Sequence, residues 1–547
     1  MANRAVSNAP GRLSGFVSAA VSGPDKIERA PTGITAFVGR TLKGPVNRPV
    51  AIASFGEFQQ IFGGLWQPST VAYAVEQFFE NGGRHAFVVR VVNGAQPPTL
   101  TLRAGQGALR LRGINPGSRE YLRASVDYDG IGAHEPERFN LVVQRVRAAP
   151  SELIEDQEIF RRVCITPGAE RYINEVLLES QLVRVLGTVP TVRPERSIRS
   201  PDAPVVGYVH SNPDGHDGEA LTDYDVIGSA IEATGLFALQ AVDGFNLLCI
   251  PPLAREQDVG MSTLMIAARF CREHHAMLVV DPPSAWTSAQ AALEALRSWP
   301  FRSENAFMHF PRVMTIDRLR GRVETFAPCG LVAGMIARAD ESWPVWAAAQ
   351  GEEAVLKPGV RPAVVVAEAE RLRLAQAGVN TLLATRGAAS VTACTLAAGG
   401  AASSDWRFLA ARRLALFINV SVERGTRWLA FEQNSLAAWR RARQQTEAFL
   451  EDLDQEGAFA GTAAEESYFV ICDERVNTPD SIAQGKVKLL FGFAITRPCD
   501  FHAFLVTHQS GGSAVRTVTA NRQATSQRRL EWEIETSILR GIIIGGP

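Results

Sequence analysis

Four short apolar runs dominate the middle of the chain: AFVVRVV from Ala86, FNLLCIPP from Phe245, MLVVDPP from Met277 and FMHFPRVMTI from Phe307. Each is too short for a buried helix and too uniformly apolar for a strand with one wet face. Segments of helical spacing separate them, around Thr263 to Glu273, Ser288 to Ser298 and Val364 to Gln376. Strands of this kind, interleaved with helices, predict a mainly parallel sheet covered on both faces, an α/β core. An earlier unit joins it. ITAFVG from Ile34 reads as a strand, and Ser54 with Glu57 forms a capping box before a helix that stops at Gly63-Gly64. A second helix opens at Ser69 and closes at Asn81-Gly82-Gly83.

The texture changes twice. Between residues 96 and 201, alternating stretches such as TLTLRA, ALRLRG and FNLVVQRV are separated by turns, which predicts a mostly β insertion with one or two helices near Glu152 to Val163 and Arg171 to Leu178. After Ala398 the linker AAGGAASSD leads into an α+β region. The expected organisation is therefore an arm over 1–30, a discontinuous α/β core over 31–95 and 202–395, the insertion over 96–201, an α+β domain over 396–509 and an extension over 510–547.

Composition narrows the function. In 547 residues, 56 basic side chains face 57 acidic ones, which leaves no global footprint for nucleic acid. No run approaches a bilayer span. The segment LSGFVSAAVSG from Leu13 is too thin in apolar residues for a signal peptide and reads as an extended arm. Seven scattered cysteines without a paired spacing read as buried thiols of a protein made in the cytoplasm.

An α/β core invites a hydrolase reading, yet the motifs do not assemble. Ser513 has Gly511 before it but Val515 where a nucleophile elbow needs glycine. Gly485-Lys486 lacks the rest of a phosphate loop, Gly105 and Gly107 lack a third glycine, and no HExxH occurs. His210, Asp214, His216 and Asp217 share a loop of ordinary turn chemistry, and Asp243 and Asp281 sit beside strands without a nucleophilic partner. The expectation is no catalytic site, no cofactor and no metal, with an α/β hydrolase as the alternative.

Two features point to association instead. The stretch NSLAAWRRARQQTEAFLEDLDQEG, capped by Asn434 or Ser435, has Arg440, Arg441 and Arg443 in its first half and Glu447, Glu451, Asp452 and Asp454 at its end. That order opposes the helix dipole and suggests either a partner that supplies the missing charges or a solvated helix tolerating them. Near the C-terminus, Leu530, Trp532, Ile534 and Ile538 alternate with acidic and polar residues at strand spacing. The N-terminal arm carries Leu13, Phe16, Val17 and Val21, and the strand DFHAFLVTH carries Phe504 and Val506. Such termini can add strands to neighbouring copies, or pair within their own molecule.

The sequence resembles the tail-sheath family of contractile phage tails and phage-derived extracellular injection machines. The matching segments run in order from PTGITAFVGRTLKGPVNRPVAIASFGEFQQIFGG through AYAVEQFFENGGRHAFVVRV, GLFALQAVDGFNLLCIPP and APCGLVAGMIARADESWPVW to DWRFLAARRLALFINVSVERGTRWLAFEQN and YFVICDERVNTPDSIAQGKVKLLFGFAITRP. Two departures stand out: ASVTACTLAAGGAASSD replaces the family's Trp/Gly-rich stretch, and the chain continues past DFHAFLVTH. The resemblance implies a non-catalytic, subtilisin-like core, an outward insertion and a tube-facing C-terminal domain, with Arg440, Arg441 and Arg443 among the contact candidates. It implies a homo-oligomer of stacked hexameric rings around an inner tube protein, ended by baseplate and terminator or cap proteins, with no nucleic acid and no membrane insertion. Both termini would be linking arms. The product would be a phage tail or an extracellular contractile particle.

Overall fold

The computed structural model describes residues 26–148, 153–197, 207–347, 359–382, 394–398 and 405–518. Its centre is a seven-stranded sheet in the order Val379–Thr381, Ala306–Phe310, Met277–Val280, Leu247–Cys249, Thr35–Gly39, Ala86–Arg90 and Val50–Ile52. Every neighbouring pair is parallel except the last, where Val50–Ile52 runs antiparallel along Ala86–Arg90. The apolar runs form these strands because both faces are covered. Ala36, Val38, Leu248 and Leu278 enter one core layer, whereas their neighbours Phe37, Leu247 and Met277 enter the other.

The expected caps are in place. Ser54 Oγ accepts from Glu57 N at 3.2 Å while the Glu57 carboxylate accepts from Ala53 N at 2.8 Å, and the helix Phe55–Phe62 ends at Gly63 with φ of 91°. Ser69 caps Thr70–Glu80 through Ala72 N at 3.0 Å. A buried helix, Cys329–Ser342, lies against it with little polar surface of its own.

The run FMHFPRVMTI is not one strand. It breaks at Pro311, which has no N–H to continue the ladder. Ala306–Phe310 belongs to the parallel sheet, and Val313–Asp317 starts a separate antiparallel hairpin with Arg322–Phe326.

The insertion folds as two antiparallel sheets around one core that includes Leu102, Leu111, Leu122, Phe139 and Leu141. The helix expected near Glu152 to Val163 is a strand, Ile154–Cys164, in which Phe160 faces Leu141 and Val163 faces Phe139 across the ladder. Cross-strand packing overrides the local helical spacing there. Only Ile173–Val176 is helical in the second expected segment.

In the C-terminal domain, helices Leu409–Gly425 and Leu436–Gln455 pack on an antiparallel sheet ordered Tyr468–Ile471, Val487–Ala494, Phe501–Gln509 and Gly512–Val518. Leu414, Ile418, Trp439, Phe449, Phe491 and Phe504 share its core. The sheet runs to Val518, so this domain extends beyond the expected boundary at residue 509. At the other end, residues 26–30, expected to be part of the arm, pack on this domain, with Ile27 and Ala30 buried in its core.

Candidate assembly surface

The residues that could have suggested catalysis hold loops together. Asp214 accepts from Thr99 N at 2.8 Å, Asp217 accepts from both the N–H and the hydroxyl of Ser118 at 2.7 Å, and His216 Nδ1 accepts from Gly218 N at 3.0 Å. These bonds staple the insertion to the loop that returns to the core, and His210 sits on a two-residue strand at the insertion's edge. Among the described residues, no three His, Cys, Asp or Glu side chains converge as metal ligands.

Asp243 and Asp281 have different partners. Asp243 faces Arg424 and Arg427 of the C-terminal domain at 3.7 and 3.4 Å. Asp281 Oδ1 accepts from Cys329 N at 2.8 Å, at the start of the buried helix, and its other oxygen has no hydrogen-bond partner among the described residues. Burial pushes its carboxyl up to about 6.

One Ser–His contact does occur. Ser513 Oγ lies 2.7 Å from His508 Nδ1, and His508 Nε2 lies 2.8 Å from Thr426 Oγ1. Thr426 donates its own proton to the Val422 carbonyl at 2.6 Å, so it must accept from Nε2–H, and Nδ1 accepts from Ser513. A hydroxyl stands where a catalytic triad places a carboxylate. The contact ties the last two strands to the end of the Leu409–Gly425 helix, and burial holds the imidazole down at about 4.

The Leu436–Gln455 helix carries the assembly candidates. Ser435 Oγ caps it through Ala438 N at 3.4 Å, whereas Asn434 accepts from the Trp439 indole at 2.6 Å. Trp439, Thr446, Phe449, Leu450 and Leu453 face the sheet. Arg440 and Arg443 are exposed on the opposite side, and Arg441 is half-buried. Arg443 pairs with Glu447 at 2.7 Å, Arg441 lies over Trp428 and pairs with Glu432 at 3.3 Å, and Arg440 has no ion-pair partner among the described residues. Phe431, 85% exposed, and Leu436, 55% exposed, precede Arg440 on the chain. Exposed apolar side chains thus lie near the arginines along the chain, and the sequence reading named only the charges.

The reversed charge order is met in part from within the chain. Lys26 pairs with Asp452 at 3.2 Å, and Arg29 reaches Glu456 through two nitrogens at 3.0 and 2.5 Å. At Asp452 and the following Glu456, the charge that the acidic end seemed to require from another molecule comes from the chain's own N-terminal segment.

The arm residues divide. Phe504 and Val506 are not on an arm: they are 1% and 0% exposed, on a strand flanked on both sides by others of its own sheet. Their apolar alternation reports core packing. Leu13, Phe16, Val17, Val21, Leu530, Trp532, Ile534 and Ile538 lie outside the described residues. Gly512–Val518 is an edge strand, with no further strand beside it among the described residues.

No family model matches the sequence, and no curated protein matches it. Solved structures do match. A sheath tail protein of Listeria innocua is similar at a TM-score of 0.55 and 13% identity, over 90% of this chain and 96% of that one. The sheath complex of the extracellular contractile injection system PVC, in its contracted state, gives 0.51 and 16% over 90% and 96%. The contracted helical sheath of the anti-feeding prophage gives 0.50 and 17% over 90% and 97%. The likeness is one of fold, spanning the core, the insertion and the C-terminal domain together.

Proposed function

We propose that this chain, which has the fold of contractile-sheath proteins, is itself the structural subunit of a contractile sheath. The observation that carries the reading is the extent of the shared fold, nine-tenths of this chain and nearly all of each neighbour. The parallel-sheet core corresponds in this reading to the subtilisin-like domain of such subunits, used as a frame. The structural partners of Asp243 and Asp281 favour a frame over a hydrolase.

Copies stack as hexameric rings around an inner tube protein, between a baseplate and a terminator or cap. Phe431, Leu436, Arg440 and Arg443 face the tube, with Arg441 held back against Trp428. Leu13, Phe16, Val17 and Val21 at one end, and Leu530, Trp532, Ile534 and Ile538 at the other, add strands to neighbouring copies; the edge strand Gly512–Val518 is the place to receive one. A contact between unlike faces that does not close generates a helix, and two packings of the same subunits give a long and a short cylinder. The chain is made in the bacterial cytoplasm and works in a phage tail or an extracellular particle, where shortening drives the tube through a target envelope.

Negative-stain microscopy of the purified protein tests this. Hollow cylinders are expected; a monodisperse small oligomer at every concentration and salt would overturn the reading.

A further inference from the structure

The N-terminal segment meets the C-terminal domain through two sets of contacts of different kind. Outermost are the ion pairs Lys26–Asp452 and Arg29–Glu456, all four side chains well exposed. Beneath them Ile27, 2% exposed, fits over Gly425, where a Cβ would stand 2.7 Å from Ile27 Cγ1, and Ala30 N donates to Ser421 Oγ at 2.9 Å. From Pro31 onward the attachment is mainly to the core, with Arg413 of the C-terminal domain still donating to the Thr32 carbonyl at 3.4 Å. Asn246 donates to the Pro31 carbonyl at 2.7 Å and accepts from Ile34 N at 3.0 Å, immediately before the central strand Thr35–Gly39.

We infer that residues 26–30 are a peelable strap: seated, they fix the root of the arm on the Leu409–Gly425 helix and the end of the Leu436–Gln455 helix, and released, they lengthen the arm while Asn246 keeps its base. The strap is irregular chain between two anchors, pairs with no strand among the described residues and is held by two small apolar contacts, Ile27 and Ala30, one buried hydrogen bond and solvent-exposed ion pairs. Such a segment opens locally at far lower cost than the sheet it leads into. Extended chain covers roughly 3.3 Å per residue, so residues 26–30 add about 17 Å of reach. Release also uncovers Asp452 and Glu456, turning the end of this helix acidic.

The use of the reserve rests on the sheath reading, because copies that slide past one another without separating need linkers of more than one length. The strap itself does not rest on it.

Hydrogen exchange on the unassembled full chain tests the strap. The Ala30 amide is expected to exchange at least tenfold faster than the amides of Thr35–Gly39. Gly425→Ala, whose methyl displaces Ile27 while leaving the helix backbone acceptable, is expected to speed Ala30 at least tenfold more without changing Thr35–Gly39. Arg29→Glu is expected to act in the same direction, and adding Glu456→Arg to restore protection. Ala30 exchanging together with Thr35–Gly39, or no response to Gly425→Ala, would overturn the strap; failure of the double reversal to restore protection would overturn its ionic part. Absence of cylinders with a strap that opens would sink the sheath reading alone.

Discussion

Gly330 approaches Ala74 so closely that a Cβ on the glycine would stand 2.0 Å from the Ala74 carbonyl oxygen. Gly334 repeats the contact one turn later, 2.3 Å from the Phe78 carbonyl. The obstacle in both cases is helix backbone, which cannot rotate away. Gly330→Ala is expected to destabilise the protein by about 1–3 kcal/mol through forced separation of the two helices, measured as the urea midpoint. Gly511→Ala, with open space around it, is the control and is expected to stay within about 0.5 kcal/mol. Equal midpoints for the two variants would show that the helices are not in contact.

Asp281 sets one pH dependence. Its carboxyl is raised to about 6 by burial, so between its unfolded value near 4 and that pH the folded state binds more protons than the unfolded one. Stability from this group is fully present below the unfolded pKa and falls as pH rises to about 6. Asp281→Asn keeps an oxygen for Cys329 N–H and removes the titration. The wild type is expected to lose about 1–3 kcal/mol relative to the variant between pH 4 and 7. A constant difference between their urea midpoints across that range would rule this out.

His508 acts in the other direction. Burial lowers it to about 4, outweighing the attraction of Glu423, so between pH 6.5 and 4 the unfolded chain takes up a proton that the folded chain refuses. Stability from this imidazole is present above its unfolded pKa and is lost as pH falls. His508→Gln is expected to cost about 2 kcal/mol at pH 7 by breaking the Ser513–His508–Thr426 chain. The deficit should shrink on acidification. A deficit that grows toward pH 4 would mean that His508 is charged in the fold.

Arg440 and Phe431 offer a change outside the core. Phe431→Ser with Arg440→Glu is expected to leave the urea midpoint within about 0.5 kcal/mol, since both side chains are exposed. Under the proposed sheath function, cosedimentation with an inner tube protein is expected to drop at least tenfold. Undiminished binding would move the tube-facing surface elsewhere.

What the residues disclose follows how far each interaction reaches along the chain. Caps at Ser54, Ser69 and Ser435 are legible because donor and acceptor lie within one helical turn. The strands at Ala86, Leu247 and Met277 are legible because burial on both faces leaves a continuous apolar run. The helix Cys329–Ser342 is hard to read for the same reason: buried on almost every side, it has little polar face to reveal its period. Ile154–Cys164 looks helical until Leu141 and Phe139 are known to lie opposite. At the assembly surface, the reversed charges between Arg440 and Asp454 are visible locally. The partners of Asp452 and Glu456, Lys26 and Arg29, lie more than four hundred residues away, where no spacing rule reaches.

That distant contact decides where an arm deletion should be cut. Removing residues 1–30 takes Ile27 out of the C-terminal core, a loss of about 1.5–3 kcal/mol of burial, and with it the partners of Asp452 and Glu456. A failure to assemble could then come from a loosened domain. Removing residues 1–25 leaves Ile27, Arg29 and Ala30 seated and takes away only Leu13, Phe16, Val17 and Val21 with their flanks. The shorter deletion is expected to unfold at the same urea concentration as the full chain and to form no cylinders by negative-stain microscopy. The longer one is expected to unfold earlier as well. Cylinders of normal length from the 1–25 deletion would show that strand exchange does not pass through the N-terminal arm.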